Sequence, residues 1–330
     1  MNGIPATMRA LRQPATTGPR DMHLITDAPV PVPGPGEVLI RVSAAGVNFA
    51  DVMRAHGTYA DGPRAPYIAG FEAAGEVVAR GQGVALEVGR HVIGAGAGAF
   101  AEYAVLPAAG AVPVPAGWTD EQAVGLVLNW ATALAALGPM GRVAAGETVL
   151  VHAAAGGVGQ AAVRLARHRG ATVIAAASPG KHDVVRDLGA DHVIDARGCD
   201  VASEVLGLTG GRGADLVLES VGGEAFRAGL AAVRRITGRM VVYGMAGGEA
   251  VISNRDLNFT HPVQVIGLHI GVLAEAEPQL FAELMDELAT LVTAGVLPPG
   301  RPTVYDLADG PQALVALEAR ATVGKLALRP

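Results

Sequence analysis

Three closely spaced glycines follow an apolar run and form the part of the chain best suited to bind a phosphate group. The run Thr148 to Val151 leads into Gly156, Gly157 and Gly159, and apolar residues at helical spacing come next. A glycine turn between a strand and a helix lets a phosphate approach backbone N–H groups that a Cβ atom would shield. We therefore expect Gly156, Gly157 and Val158 to contact a pyrophosphate. A tight turn in another α/β protein gives the same pattern.

The end of the next strand indicates which dinucleotide fits this turn. The apolar run from Thr172 to Ala177 ends at Ser178, and Lys181 follows shortly. NAD enzymes usually place Asp or Glu here for the ribose 2′-hydroxyl, whereas a 2′-phosphate needs hydroxyl and cationic donors. No acid stands at this point, so we predict NADPH, bound by Ser178 and Lys181. The alternative for Lys181 is a solvated lysine at the start of a helix.

Strand and helix patterns alternate around this unit. The segments GADLVLESVG and GRMVVYG indicate later strands, whose ends place Ser220, Tyr243 and Gly244. Because a doubly wound parallel sheet binds ligands at the carboxyl ends of its strands, we expect these residues to line the nicotinamide side. Upstream, short strands broken by glycine indicate a separate β-rich module that resembles a partly open barrel.

Length and composition exclude several classes of protein. A chain of 330 residues predicts two domains, and a content of half apolar and 17% charged residues is typical of globular proteins. The net charge of −6 argues against nucleic acid as a partner. The single cysteine, Cys199, argues against a disulfide framework and fits a reducing, cytoplasmic location. We expect no membrane partner and no targeting signal, because the N-terminal segment carries prolines and charges and Ala123 to Leu137 is typical of a buried helix.

Five separated motifs carry a family resemblance: VNFADVMRAHGTY, GFEAAGEV, AAAGGVG, LGADHVID and EARATVGKLAL. In this order they make the chain similar to the zinc-independent quinone oxidoreductases of the medium-chain dehydrogenase/reductase superfamily. The resemblance implies an α/β fold with a GroES-like β-rich domain over residues 1–125 and 268–330, and a Rossmann doubly wound parallel-sheet domain over residues 126–267. It also implies a homodimer, for which HPVQVIGLHIG is the candidate edge strand.

The zinc ligands of the superfamily's alcohol dehydrogenases are replaced in this chain. Their histidine belongs to a GHE motif, whereas this chain has Gly70, Phe71 and Glu72, and phenylalanine cannot bind a metal. The four-cysteine structural lobe is missing as well. We therefore expect no metal. Without a Lewis acid to polarise an alcohol oxygen, we expect hydride transfer to a small quinone or α,β-unsaturated carbonyl.

The resemblance further implies roles for individual side chains. Asn48 matches a residue near the nicotinamide and the substrate, and its amide is expected to donate to a developing oxyanion. Tyr59 matches a tyrosine that would stack on an aromatic acceptor or supply a proton. Thr132 matches a threonine that faces the nicotinamide. Met53, which replaces a second tyrosine of some bacterial relatives, is assigned with Trp130 to the substrate pocket.

Other positions are assigned to cofactor binding or to structure. The resemblance implies that Arg320 joins Ser178 and Lys181 at the 2′-phosphate. We expect Asp51 and Glu72 to be buried structural carboxylates, and Cys199 to be inert. The histidines expected to serve packing or loops are His56, His91 and His152.

Two other functions stay open. The segment ASPGKHDVVRDLGA also resembles reductase modules of polyketide synthases, so an enoyl reductase acting on an enoyl thioester or a polyketide intermediate is the alternative. A non-catalytic NADPH-binding protein is the other, because an intact phosphate loop predicts binding and says nothing of turnover.

Overall fold

A computed structural model describes residues 3–330, so residues 1 and 2 of the predicted N-terminal domain lie outside the described residues. The chain forms two compact units. The first takes in the residues up to Leu128 together with Pro299–Pro330, and the second is Asn129–Pro298.

The strands are short and fall into three sheets. In chain order they are β1 Thr7–Gln13, β2 His23–Pro29, β3 Glu37–Val47, β4 Tyr67–Ile68, β5 Glu72–Arg80, β6 His91–Ala95, β7 Tyr103–Pro107, β8 Val112–Pro113, β9 Thr148–Val151, β10 Thr172–Ala177, β11 His192–Asp195, β12 Leu216–Glu219, β13 Arg239–Val242, β14 Gln264–Gly267, β15 Thr303–Asp306 and β16 Leu326–Arg329.

The α-helices lie mainly in the second unit. They are α1 Phe49–Ala55, α2 Asp120–Ala123, α3 Ala131–Ala135, α4 Gly157–His168, α5 His182–Asp187, α6 Val201–Leu208, α7 Gly223–Ala232, α8 Ile270–Ala276, α9 Pro278–Thr293 and α10 Gly310–Glu318. Segments of π-helix at Leu126–Trp130 and Ala136–Met140 flank α3.

The first unit is the predicted β-rich module. Its larger sheet has the order β15-β16-β3-β5-β6-β8, with β7 also paired to β3, and its smaller sheet has the order β2-β1-β4. Strand β3 is central, because it pairs with β5, β7 and β16. The C-terminal strand β16 pairs antiparallel with β3, matching Leu326 with Val47. The end of the chain therefore completes the sheet that its beginning started.

The second unit is a parallel sheet with helices on both faces, as predicted. Its order is β11-β10-β9-β12-β13-β14, and every pair is parallel. Both faces are covered: Val149 and Val151 pack in one apolar cluster and Leu150 packs in another. The chain moves outward through β10 and β11 and then returns to the other side of β9. This reversal between β9 and β12 marks the edge where such sheets bind ligands.

The chain returns to the first unit later than the predicted residue 268. Residues 268–298 belong to the second unit, and the return comes at Pro299. The cause is helix α9, which buries Leu284, Leu288 and Leu291 in the same cluster as Val149. An amphipathic helix that follows the last strand covers the sheet of its own unit.

The apolar stretch Ala123 to Leu137, predicted as a buried helix, lies within a longer helical run. The helical run Asp120–Met140 has 21 residues, enough by length and composition to cross a membrane. Of its most apolar window, 67% is buried inside the structure. A buried core helix passes the same test, and this run is buried as expected.

Candidate functional site

The glycine turn joins β9 to α4, as predicted. Gly156 is the N-cap of α4. Because glycine has no side chain to accept hydrogen bonds, the first backbone N–H groups of the helix are left to other acceptors, such as a ligand. A Cβ at Gly159 would lie 2.6 Å from Ala154 Cα, and one at Gly157 would lie 2.9 Å from Asn129 Oδ1. These two glycines let the helix pack closely. A Cβ at Gly156 would meet only the Ala153 carbonyl oxygen, at 3.3 Å, so this glycine keeps the turn open.

The ends of β10 and β11 place two cations near each other. Ser178 follows β10 as the N-cap of a short 3-10 turn, and Lys181 is the last residue of that turn. Partial burial, reinforced by the charge of Arg197, lowers the pKa of Lys181. The sequence interpretation missed Arg197. It lies near Lys181 because β11 is parallel to β10 and ends at the same sheet edge, and no local sequence pattern marks that pairing.

An acid also lies at this edge, on the neighbouring strand. Asp195 ends β11 and stands opposite Ala177 of β10. Its Oδ1 accepts a hydrogen bond of 2.9 Å from Arg197 N, so the carboxylate closes the turn that follows the strand.

The ends of β12 and β13 bring Ser220, Tyr243 and Gly244 together. The Tyr243 hydroxyl is buried beside the Ser220 side chain, and burial raises its pKa well above the usual range. This hydroxyl has no well-formed hydrogen bond among residues 3–330. A Cβ at Gly244 would lie 2.7 Å from Ser220 O, so the two strand ends pack closely. The three predicted residues therefore share one edge of the sheet.

Glu219 supports this edge and was missed from the sequence. It is fully buried, and its Oε1 accepts hydrogen bonds from Val221 N at 2.7 Å and Gly222 N at 3.0 Å. Burial raises the pKa of this carboxyl. Glu219 thus fixes the loop that follows Ser220.

Thr132, Trp130 and Val158 also lie in the second unit. Thr132 is buried on α3. Trp130 and Val158 are partly buried and pack against the apolar cluster of this unit.

Asn48 lies in the first unit within a buried polar network that the sequence did not reveal. Lys325 Nζ donates to Asn48 Oδ1 at 2.7 Å and to Glu72 Oε2 at 2.6 Å. Glu72 is fully buried, and its Oε1 accepts from Gly125 N at 2.8 Å. We call Asn48, Glu72 and Lys325 the buried triad after the fully buried Glu72, although Asn48 and Lys325 are themselves only partly buried. A side chain at Gly46 would collide with the Glu72 carboxylate, so the triad requires glycine there.

The triad fixes the orientation of the Asn48 amide. Asn48 Nδ2 donates to Glu72 Oε2 at 3.0 Å and to Gly46 O at 3.2 Å. Both N–H groups that were expected to face a developing oxyanion therefore have protein acceptors. Donation to a substrate requires one of these bonds to be exchanged, and the longer bond to Gly46 O is the weaker.

Asp51 is the buried structural carboxylate that was expected. Its Oδ2 accepts from Asn48 N at 2.8 Å, which closes a capping box at the start of α1. Asp51 Oδ1 has no hydrogen-bond partner among residues 3–330. Burial raises the pKa of Asp51 to about 7.

Tyr59 borders a cavity of about 500 Å³ within the first unit. Arg54 and Arg64 line the same cavity, together with Thr16 and Gly57. Met53 is half-buried on α1 and does not line it. The cavity is large enough for a small aromatic molecule.

The remaining candidates are dispersed. Arg320 is exposed just after α10, with a left-handed φ of 56°. His56 Nε2 lies 2.7 Å from Glu318 Oε1, and His91 Nδ1 lies 2.8 Å from Asp120 Oδ2. His152 is buried, which lowers its pKa to about 4.

Cys199 and the acidic and histidine residues form no metal constellation in the described part of the chain. Cys199 Sγ donates to Asp195 O at 2.9 Å, and burial raises the pKa of this thiol, which disfavours the reactive thiolate. Across residues 3–330, no group of three or more His, Cys, Asp or Glu side chains is placed to hold a metal ion.

Two family models match the two units. Residues 34–116 match the alcohol dehydrogenase GroES-like domain, and residues 157–290 match the zinc-binding dehydrogenase domain. Among curated proteins, the chain is 38% identical over 304 residues to a mycocerosic acid synthase-like polyketide synthase of Mycobacterium tuberculosis. That match covers 90% of this chain and 14% of the relative, so the chain spans about a seventh of that protein's length.

Solved structures match over nearly the whole chain. A quinone oxidoreductase of Pseudomonas syringae pv. Tomato DC3000 is 33% identical with a TM-score of 0.91, covering 98% of this chain and 100% of that one. The Escherichia coli quinone oxidoreductase complexed with NADPH is 29% identical, again with a TM-score of 0.91 and the same coverage.

Proposed function

Because the chain belongs to the zinc-independent quinone oxidoreductase family of the medium-chain dehydrogenase/reductase superfamily, we propose that it is an NADPH-dependent reductase. Its acceptor is a small quinone or an α,β-unsaturated carbonyl compound. The observation that carries this proposal is the sheet edge of the second unit, where the open glycine turn and the cationic ends of β10 and β11 lie together.

The residues at this edge fit NADPH. Gly156, Gly157 and Val158 would present backbone N–H groups to the pyrophosphate, because the N-cap of α4 supplies no competing side chain. The residues that would bind the 2′-phosphate are Ser178, Lys181 and Arg197. Two cations held close together repel each other, and a bound phosphate would relieve that repulsion.

The nicotinamide end and a fourth contact to the 2′-phosphate complete the assignment. Thr132, Ser220, Tyr243 and Gly244 would line the nicotinamide. Arg320 is proposed as a further ligand of the 2′-phosphate. When bound, NADPH supplies the hydride that reduces the acceptor.

The chain's own residues orient the acceptor and stabilise its charge. Tyr59 would stack on an aromatic acceptor, with Met53 and Trp130 as apolar neighbours in the substrate pocket. Donation from Lys325 to Asn48 Oδ1 polarises the amide, so an Asn48 N–H that exchanges its bond to Gly46 O would be a stronger donor to an acceptor oxygen. Phe71 stands at the histidine position of the zinc enzymes, and Glu72 is engaged by Lys325, so charge delocalisation falls to the acceptor's conjugated carbonyl.

The cofactor assignment is tested by two substitutions at the phosphate site. Lys181→Ala and Arg197→Ala should each raise KM for NADPH about tenfold or more, because a charge-assisted contact contributes about 1.5–3 kcal/mol. KM for NADH should hardly change. The measurement is steady-state oxidation of each cofactor with a quinone acceptor, and equal losses for NADPH and NADH would contradict the 2′-phosphate assignment.

A second candidate function is reduction of an enoyl thioester or a polyketide intermediate. The similarity to a polyketide synthase favours it. Turnover rates measured with NADPH and quinones, small enones or enoyl thioesters would separate the two candidate functions. Turnover of thioesters alone would exclude a quinone or enone reductase. NADPH binding without oxidation by any acceptor would favour the non-catalytic protein.

The proposal includes a cytoplasmic homodimer. Strand β14 is one of the two edge strands of the parallel sheet, and it belongs to the segment HPVQVIGLHIG. A second copy that pairs with β14 would satisfy the outer backbone groups of this strand. Light scattering coupled to size-exclusion chromatography should give twice the chain mass, and a monomer at all concentrations would remove this part of the proposal.

A further inference from the structure

The first unit contains a cationic group that the reaction above does not use. The Arg54 guanidinium carbon lies 4.1 Å from the centre of the Phe71 ring and 4.9 Å from the centre of the Tyr59 ring. Cation–π contact with two rings fixes the plane of the guanidinium. The buried Arg54 Nε has no hydrogen-bond partner among residues 3–330. Two aromatic rings therefore position the Arg54 guanidinium, and its Nε–H donor makes no hydrogen bond within the described residues.

The cavity beside Arg54 has the charge of an anion site. Its two charged lining residues are Arg54 and Arg64, and neither Asp nor Glu lines it. In the described part of the chain, neither arginine forms an ion pair with a carboxylate. Tyr59 adds an aromatic surface to the same wall.

Asp51, on the same helix as Arg54, offsets this positive charge only in part. Asp51 is 3% exposed, and its carboxyl group interacts electrostatically with Arg54. Because burial raises the pKa of Asp51 to about 7, a large fraction of this group is uncharged near neutral pH. The positive charge at the cavity wall therefore persists.

We propose that this cavity is an anion subsite for the acceptor, and that it binds a carboxylate or phosphate group that the acceptor carries away from its reducible double bond. The inference rests on the proposed function, because it states which class of acceptor is preferred. The planar Arg54 guanidinium can donate to two oxygens of one anion. The exposed Arg64 side chain adds electrostatic attraction for the same anion. Tyr59 contacts the apolar part of the same molecule.

Matched acceptor pairs test the subsite. For the carboxylate, 4-(3-oxobut-1-enyl)benzoate is compared with its methyl ester, which has the same enone. For the phosphate, crotonyl-coenzyme A is compared with the N-acetylcysteamine thioester of crotonate. We expect KM to be about tenfold lower for the charged member of at least one pair, and the pair that responds identifies the source of the anion.

Substitutions locate the effect. Arg54→Lys keeps the positive charge and loses the bidentate guanidinium. It should reduce the preference for the charged over the neutral acceptor about tenfold. Arg64→Gln removes an exposed charge without touching the core, and should reduce it about threefold. Arg90→Gln is the matched control, because Arg90 is an exposed arginine of the same unit that does not line the cavity, and it should leave the preference unchanged.

Calorimetric titration of the resting protein with the benzoate compound gives a readout that does not depend on turnover. If the enzyme reduces the neutral acceptors and prefers neither charged acceptor of the two pairs, the anion subsite is overturned and the proposed function still holds. Binding of the benzoate that Arg54→Lys weakens, without reduction of any acceptor, supports the subsite and overturns the proposed function. A preference that Arg90→Gln lowers as much as Arg64→Gln reflects overall charge and overturns the subsite.

Discussion

At the residue scale, the buried triad couples three side chains from distant parts of the chain. Glu72 is fully buried and Lys325 is 11% exposed at its side chain, so neither charge is well solvated. A buried charge that loses its partner destabilises a protein strongly, whereas removing both charges costs much less. The stability of the first unit therefore depends on the pair more than on either member.

A double-mutant cycle measures this coupling. Lys325→Met should lower the free energy of unfolding by about 3–5 kcal/mol, because it leaves the Glu72 carboxylate unpaired. Adding Glu72→Gln should recover a large part of that loss. Urea unfolding of the wild type, both single variants and the double variant gives the coupling energy. Additive losses would show that the two side chains act independently.

Asp51 makes stability depend on pH. Its pKa is about 7 when folded and 3.8 as a free side chain, so from about pH 4 to about pH 7 the folded chain holds a proton that the unfolded chain has released. The contribution of Asp51 to stability should therefore fall as the pH rises through this window, by at most about 1.4 kcal/mol per pH unit.

Asp51→Asn should remove that slope, since an amide of the same shape does not titrate. Urea midpoints measured across the window for both proteins give the difference. Asp61→Asn is a suitable control, because Asp61 is exposed in the same unit. An unchanged slope in Asp51→Asn would assign the pH dependence to other groups.

At the element scale, the β9–α4 turn could be predicted because its information is local. Gly156, Gly157 and Val158 lie between one strand and one helix, and Ser178 and Lys181 come just after the next strand. The turn and the strand end are each contained in a few consecutive residues. Hydrophobic periodicity and glycine placement were enough to find them.

Residues that act across elements could not be predicted in the same way. Arg197 approaches Lys181 only because β10 and β11 are neighbours, and Lys325 reaches Glu72 only because β16 closes the sheet beside β3. The orientation of the Asn48 amide follows from the same closure. These contacts depend on strand order, which one sequence does not specify.

The glycine turn predicts a contrast between two substitutions. Gly159→Ala would press its Cβ into the backbone of Ala154, so α4 would have to shift, and we expect NADPH binding to weaken at least tenfold. Gly207→Ala is the control, because Gly207 lies within α6 and a Cβ there meets no atom within 4 Å. Fluorescence titration with NADPH compares the two variants. Equal affinities would show that close packing at Gly159 is unnecessary for cofactor binding.

At the scale of the whole molecule, one unit is formed by a single continuous segment of the chain and the other by two separate segments. The second unit is one segment, Asn129–Pro298, whereas the first combines residues up to Leu128 with Pro299–Pro330. The return to the first unit at Pro299 comes later than the predicted residue 268, and α8 and α9 lie between the two positions. Their apolar faces could equally have covered either unit, and only the packing of α9 settles the choice.

A continuous unit with its own core should fold alone. The segment Asn129–Pro298 holds Lys181, Arg197 and the glycine turn, so we expect it to unfold cooperatively and to bind NADPH. It should reduce no acceptor, because Asn48 and Tyr59 belong to the other unit. Circular dichroism and NADPH titration test this, with Lys181→Ala in the same segment as control. A folded segment with no affinity for NADPH would contradict the proposed site.

The sequence separation within the buried triad also sets an order for protein synthesis. Lys325 lies 253 positions after Glu72, so a ribosome delivers the acid long before its counter-ion. Until then the nascent first unit has neither β16 beside β3 nor an ammonium group for its buried carboxylate. The second unit emerges complete in the meantime and can fold on its own. The part of the chain that is translated first is thus the part that becomes native last.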